Sequence, residues 1–161
     1  MSTDEERVQQ VMHTAPKPPP QRRRTDAYPM TLQVEARYAD MDVNGHLNNL
    51  ALETLHEDIR ARLNRHVFPD IYTEDGLSRL VSAQNVVHFL AESHWPATIT
   101  SAVAVGRIGT SSLVACSALF IGSNCVSTCD TTLVLVADSG PTPIPVEKRH
   151  VLESLKLRTS I

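Results

Sequence analysis

The sequence lacks the features that mark membrane-spanning, secreted and nucleic-acid-binding proteins. No apolar run approaches the roughly 20 residues that a membrane-spanning helix needs. The N-terminal residues Met1–Glu6 are mostly polar and do not resemble the apolar core of a secretory signal. Lysine and arginine number 15 against 18 aspartates and glutamates, so no basic excess points to nucleic acid as a partner. We therefore expect a soluble cytoplasmic protein that binds neither nucleic acid nor membrane.

Cysteine is also scarce. The chain has three cysteines, Cys116, Cys125 and Cys129, and none of them forms the C-x-x-C spacing typical of metal sites. All three lie in strand-like sequence rich in valine and threonine. This setting favours small buried thiols in a reducing cytoplasm.

The chain divides into a tail and one domain. Residues 1–28 contain four prolines between positions 16 and 20, followed by the run Arg22-Arg23-Arg24. Such a segment has too little apolar surface to offset the entropy of ordering it, so we predict a disordered, largely solvated Pro/Arg-rich tail. Residues 29–161 are long enough for a single domain with its own core.

Hydrophobic periodicity changes twice along the domain. Apolar and polar residues alternate over residues 30–38, which predicts a half-buried strand. Apolar residues then recur every four positions between about 48 and 65, which predicts a long amphipathic helix with Asn48 or Asn49 as its N-cap. Four further strands are predicted, over residues 80–90, 99–108, 112–121 and 126–136, with a short helix over 147–156.

This order predicts an α+β protein in which an antiparallel five-stranded sheet packs on one long helix. Short breaks join the last three strands, as in hairpins. One helix leaves part of the sheet and its edges uncovered, so we expect self-association.

The densest group of polar residues lies between the first strand and the long helix, over residues 37–49. It contains Asp40 and Asp42 beside the predicted helix start, whose free N–H groups attract anions. An ionised aspartate can attack a carbonyl or activate water, and the N–H groups can stabilise the resulting oxyanion. A thioester suits such a site because a thiolate leaves without much acid assistance. Spacing alone is equally compatible with an Asp42 that only forms the turn.

Two metal hypotheses are weaker. Asp40-x-Asp42-x-Asn44-Gly45 matches the first half of an EF-hand loop, but position twelve is Ala51 instead of the required glutamate. A transition-metal site from Asp40, Asp42, His46 and His56 lacks the i, i+4 histidine pair of zinc hydrolases. We therefore predict no metal.

Three motifs carry a family resemblance. They are the run Asp40-x-Asp42-x-x-Gly45-His46-x-Asn48-Asn49, the turn Ile108-Gly109-Thr110-Ser111-Ser112, and Thr142-Pro143-Ile144-Pro145 with Arg149. In this order they resemble the motifs of hotdog-fold acyl-CoA thioesterases of the 4-hydroxybenzoyl-CoA thioesterase type. The resemblance extends from about residue 30 to residue 155.

The resemblance implies a hotdog fold, with a five-stranded antiparallel sheet wrapped around one long helix. It implies that Asp42 is the nucleophile or general base and that the Asn49 backbone N–H faces the thioester oxygen. Gly45 would allow substrate close to the backbone, and Asp40 would brace the turn. His46 would either polarise the thioester or pack at the helix start, and packing is the more common role of such a histidine.

The family also implies dimers or tetramers with active sites at subunit interfaces. Thr110, Ser111 and Ser112 would then lie near the coenzyme A moiety, on a neighbouring subunit. Acyl-CoA would be the substrate, and no separate cofactor is expected because coenzyme A is part of the substrate. Residues 50–55 lack the aromatics common in the family helix. A non-catalytic hotdog protein that binds acyl-CoA or a partner is therefore the alternative, and a dehydratase or hydratase is a third option.

Overall fold

The computed structural model describes residues 3–73 and 76–160. Residues 1 and 2 of the predicted tail and residues 74, 75 and 161 of the predicted domain lie outside these ranges. The helices are α1 (Asp4–Val11), α2 (Asn49–Val67) and α3 (Val146–Ser154). The strands are β1 (Met30–Glu35), β2 (Ser78–Phe89), β3 (Thr98–Ile108), β4 (Ser112–Ile121), β5 (Asn124–Ala137) and the two-residue β6 (Gly140–Pro141).

The strands form one antiparallel sheet in the order β1-β3-β4-β5-β2, with β6 paired to β5. The β1–β3 register places Glu35 opposite Thr98, so β1 ends beside the start of β3. Strand β2 lies at the other edge, pairs with β5 and has a register shift between Ser82 and Gln84. The predicted α+β arrangement of five main strands and one long helix is therefore confirmed.

Helix α2 packs one apolar face against the sheet. Its buried side chains recur at helical spacing, as in Ile59, Leu63 and Val67, because an amphipathic helix buries only one face. The residues that meet this face from the sheet and from α3 are Val103, Val105, Leu113, Ala115, Leu133, Leu135 and Leu152. Burial of each leucine or isoleucine contributes about 1.5–3 kcal/mol to stability, so this layer holds α2 firmly on the sheet.

The N-terminal segment departs from the predicted solvated tail at its C-terminal end. Ala27 and Tyr28 are buried, and the Arg22 side chain is only 8% exposed. Arg22 forms an ion pair of 2.6 Å with Asp130 on β5 and donates to the Tyr28 hydroxyl. Because a guanidinium with partners can be buried, the arginine run is not simply a solvated charge cluster. The prediction of a tail over residues 1–28 is therefore wrong for the part near Arg22.

The three cysteines are free and buried, as predicted. Burial, the largest cause, raises the pKa of the Cys116 thiol to about 12. Such a thiol stays protonated at neutral pH and is a poor nucleophile. Among the described residues, no helix combines the length and apolarity that crossing a membrane requires.

Candidate active site

The loop between β1 and α2 is braced by Asp40. Its carboxylate accepts the Arg37 backbone N–H at 3.0 Å and the Arg37 guanidinium at 2.7 Å. The bonds from the Arg37 side chain are the main reason that the pKa of Asp40 is lowered. The Asp40 carbonyl also accepts the Asn48 N–H, which ties the loop to the helix start. Asp40 thus braces the turn, as the resemblance implied.

Asp42 closes a second, tighter turn. One carboxylate oxygen, Oδ1, accepts the N–H groups of Asn44 at 2.8 Å and His46 at 3.1 Å. The Asp42 N–H donates to the His46 carbonyl, and the Gly45 N–H donates to the Asp42 carbonyl. Gly45 has a φ of 78°, which favours glycine because it has no Cβ. The turn fixes the Asp42 carboxylate through Oδ1, and no hydrogen bond within the described residues occupies Oδ2.

The start of α2 leaves amide groups free near this carboxylate. Asn48 is the N-cap, and its Oδ1 accepts the Ala51 N–H at 2.7 Å. The Asn49 and Leu50 N–H groups have no hydrogen-bond partner within residues 3–73 and 76–160. Free N–H groups in the first turn of a helix carry partial positive charge and bind anions.

A cleft of about 220 Å³ lies between the Asp42 turn, the start of α2 and the segment after β2. The residues that line it are Asp42, His46, Leu47, Asn49, Leu52, Phe89, Ala91, Glu92 and Ser93. The structure thus brings together three predicted site residues, Asp42, His46 and Asn49, and Gly45 shares their loop. A group bound here would have a carboxylate on one side and helix N–H groups on another.

Sequence reasoning missed the contribution of residues 91–94. His46 and His94 form an isolated antiparallel bridge, and their rings contact edge to face with centroids 4.8 Å apart. His46 Nε2 lies 3.5 Å from a Glu92 carboxylate oxygen, and His94 Nδ1 lies 3.1 Å from the Gly45 carbonyl. No sequence signal pairs positions 46 and 94, because only the tertiary fold places them side by side.

The predicted coenzyme A residues lie elsewhere in the same chain. Thr110, Ser111 and Ser112 are at the β3–β4 turn, whereas the Asp42 loop is next to the start of β3. Strand β3 has 11 residues, and a strand of this length spans about 33 Å. The turn is held in place by Arg149, which donates to the Gly109 and Thr110 carbonyls. One chain therefore does not bring this turn to Asp42.

His56 lies away from the cleft, in a buried polar network. Its ring nitrogens are 2.8 Å from the Ser117 hydroxyl and 2.9 Å from the Ser127 hydroxyl. Burial, followed by the positive charges of Arg22 and Arg60, lowers its pKa to about 3. Because His56 is turned into the sheet and Asp40 is bound to an arginine, these two residues do not join His46 and Asp42 in a metal site.

The chain matches no protein-family model and no curated protein. It does match solved structures. A candidate thioesterase from Pseudomonas aeruginosa is 28% identical, with a TM-score of 0.66, over 75% of this chain and 95% of its own. A Thermus thermophilus thioesterase complexed with coenzyme A and zinc is 25% identical, with a TM-score of 0.68, over 76% of this chain and 96% of its own. A predicted thioesterase from Bacillus stearothermophilus is 22% identical, with a TM-score of 0.73, over 81% and 98%.

These structures have the topology described above, with a curled antiparallel sheet and a central helix. Their similarity extends over most of this chain, from which we conclude that the predicted fold is right. The chain has the hotdog fold of thioesterase-superfamily proteins.

Proposed function

We propose that the protein is a thioesterase that hydrolyses acyl-CoA to a free acid and coenzyme A. The observation that carries this proposal is the Asp42 carboxylate in a cleft that also holds the free start of α2. The coenzyme A in the T. thermophilus thioesterase supports coenzyme A as the thiol part of the substrate. On the motifs quoted above, we propose that the protein is a hotdog thioesterase of the 4-hydroxybenzoyl-CoA type. Its three free cysteines suit the reducing cytoplasm, which we propose as its location.

The chemistry needs one oxygen of Asp42 to remain free. Oδ1 is engaged by two backbone N–H groups, so Oδ2 is the oxygen available to react. It either attacks the thioester carbonyl or takes a proton from a water molecule that attacks it. The carbonyl oxygen becomes negative and faces the Asn49 N–H, which stabilises it. The carbon–sulfur bond then breaks and coenzyme A leaves as a thiolate.

Water completes the reaction in either route. If Asp42 is the nucleophile, water hydrolyses the acyl-aspartate and releases the acid. If Asp42 is the base, the tetrahedral adduct collapses directly to the acid. His46 lines the same cleft and its ring contacts His94, so we assign it a positioning role at the helix start. Gly45 keeps the loop in its left-handed conformation.

We further propose that the working form is a homodimer or homotetramer. Thr110, Ser111 and Ser112 lie too far from Asp42 within one chain to bind the same coenzyme A molecule. In a homo-oligomer, this turn can reach the cleft of a neighbouring copy. The site would then combine Asp42 of one subunit with the β3–β4 turn of another.

A thiol-release assay over a panel of acyl-CoAs tests the proposal. We expect release of free thiol from at least one member, and a loss of about 10²–10⁴-fold in rate for Asp42→Asn. Asparagine retains the Oδ1 acceptor that closes the turn, so this change removes the reactive carboxylate and leaves the loop intact.

Asp58→Asn is the matched control, because Asp58 is a carboxylate on α2 that pairs with Arg62 outside the cleft. It should retain the wild-type rate. Full activity in Asp42→Asn would disprove the role of Asp42. Tight binding of acyl-CoA without thiol release from any member would favour the non-catalytic alternative instead.

A further inference from the structure

Two histidines and a glutamate converge at the mouth of the cleft. One ligand atom from each of His46, Glu92 and His94 lies within 4.8 Å of the others. His46 is half-buried, whereas Glu92 and His94 are exposed. We propose that these three side chains bind one divalent transition-metal ion, with Zn²⁺ as the best fit, and that water or substrate takes the fourth position.

The distances suit a tetrahedral ion. Two ligand atoms that each lie 2.0–2.1 Å from such an ion are about 3.4 Å apart. His46 Nε2 and the Glu92 carboxylate oxygen are already 3.5 Å apart. The third ligand atom lies at most 4.8 Å from the other two, so it must move by up to roughly 1.4 Å to reach the same spacing. An exposed side chain such as His94 can make this movement by a small rotation about its side-chain bonds.

A hydrogen bond orients the His94 ring in the way that is usual for histidines that bind metal ions. Its Nδ1 lies 3.1 Å from the Gly45 carbonyl. A carbonyl only accepts, so Nδ1 carries the proton and Nε2 keeps its lone pair for a metal. A histidine that donates its other ring N–H to a backbone carbonyl is the usual arrangement around a bound metal.

Backbone hydrogen bonds also hold the loop that carries His46 against the segment that carries Glu92 and His94. His46 and His94 form a β-bridge, and the adjacent Leu47 N–H donates to the Ser93 carbonyl at 2.8 Å. The Asp42 turn fixes His46 from the other side, since the His46 N–H donates to Asp42 Oδ1. Part of the cost of assembling the ligands is therefore met by the fold itself.

The ligand chemistry selects the metal. Imidazole nitrogens suit Zn²⁺, Cu²⁺, Ni²⁺ and Fe²⁺, whereas Mg²⁺ and Ca²⁺ prefer oxygen ligands. Two imidazoles and one carboxylate form the same donor set as in the His₂Glu class of zinc sites, which keep one position open. Glu92 also supplies the negative charge that two neutral imidazoles lack. This inference reverses the expectation of no metal that the sequence supported.

Isothermal titration calorimetry of the untagged protein with zinc chloride tests the inference. We expect saturable binding of one Zn²⁺ per chain. His94→Ala and Glu92→Gln should each weaken the affinity by at least about tenfold, because loss of even an outer hydrogen-bond partner costs 10–100-fold. Calorimetry requires no substrate, so the result does not depend on whether the protein is a thioesterase.

His66→Ala is the matched control, since His66 is an exposed histidine near the end of α2; it should bind zinc like the wild type. The Glu92 side chain is 76% exposed, so Glu92→Gln removes a charge with little risk to folding. Undiminished zinc affinity in both site variants, or no saturable binding by the wild type, overturns the inference. A thiolate charge-transfer band on addition of Co²⁺ would place the metal on the cysteines and would also overturn it.

Discussion

The Asp42 carboxylate both closes a turn and lines the candidate cleft. Oδ1 closes the turn by accepting two backbone N–H groups, while the side chain also lines the cleft. From sequence spacing, Asp42 could equally be a turn-forming residue or a reactive group. The structure is compatible with both roles at once. Its catalytic role stays a prediction until the thiol-release assay is done.

His56 makes stability depend on pH. Its pKa is lowered by burial to about 3, whereas an unperturbed histidine has a pKa of about 6.5. At pH values between these two pKa values, His56 therefore binds a proton more readily in the unfolded chain than in the folded chain. The stabilisation is fully present above pH 6.5 and is lost as the pH falls toward 3. From pH 7 to pH 5 we expect a loss of about 2 kcal/mol from this residue.

The measurement is urea unfolding of wild type and His56→Gln at pH 7 and pH 5. Glutamine does not titrate, so the variant should lose about 2 kcal/mol less than the wild type over this interval. His56→Gln should be less stable than the wild type at pH 7, because it removes an imidazole ring that is hydrogen-bonded to both Ser117 and Ser127. Equal pH dependence in the two proteins would show that His56 titrates normally.

Helix α2 connects the core to the candidate site. Its apolar face packs on the sheet, and its first turn supplies the free Asn49 and Leu50 N–H groups. The N-cap limits how many amides stay free, because among the described residues the Asn48 side chain accepts only the Ala51 N–H. The same element thus determines both packing and the position of the anion-binding groups.

Replacement of the cap tests this element. Asn48→Ala leaves the Ala51 N–H without its side-chain acceptor and should lower the free energy of unfolding by about 1 kcal/mol. Asn48→Asp retains an acceptor oxygen at the same place and should stay close to wild type. Urea denaturation of the three proteins measures the difference. An alanine variant as stable as the wild type would mean that the cap contributes nothing.

Part of the N-terminal segment belongs to the folded molecule. Arg22 reaches Asp130 on β5 and its guanidinium also contacts the Ser117 carbonyl, 95 positions along the chain. The neighbouring Arg24 instead pairs with the exposed Asp26. Two arginines in one run thus have different surroundings, and the run cannot be treated as a single solvated unit.

The β2 edge of the sheet, one of its two edges, bears on the assembly. Among the described strands β2 pairs only with β5, and Val81 on β2 is 41% exposed. An exposed strand edge invites pairing with a second chain. We expect light scattering to give at least twice the 17.8 kDa of one chain. Val81→Glu should shift the protein toward monomer, because it places charge at the edge.

Leu77→Glu is the control for that experiment, since Leu77 is 87% exposed but precedes β2. It should keep the wild-type mass. A monomeric wild type at all protein concentrations would contradict the assembly, and with it the sharing of the β3–β4 turn between subunits.

The elements and their order could be predicted from local sequence patterns. Alternating residues in β1, four-residue spacing in α2 and hairpin breaks between β3, β4 and β5 are local patterns, and they predicted strand and helix positions to within a few residues. The N-cap Asn48 was among the two predicted because capping depends on residues three apart. Asp40 and Asp42 were singled out because they lie in the densest polar run of the sequence, between the predicted strand and the predicted helix.

The contacts between groups distant in sequence could not be predicted in this way. The pairing of His46 with His94 depends on a bridge between loops 48 positions apart in sequence, and no local pattern encodes it. Burial of Arg22 likewise depends on Asp130, which becomes its partner only when β5 is in place. Periodicity and capping act between near neighbours in sequence, whereas these contacts join segments that meet only once the sheet is packed.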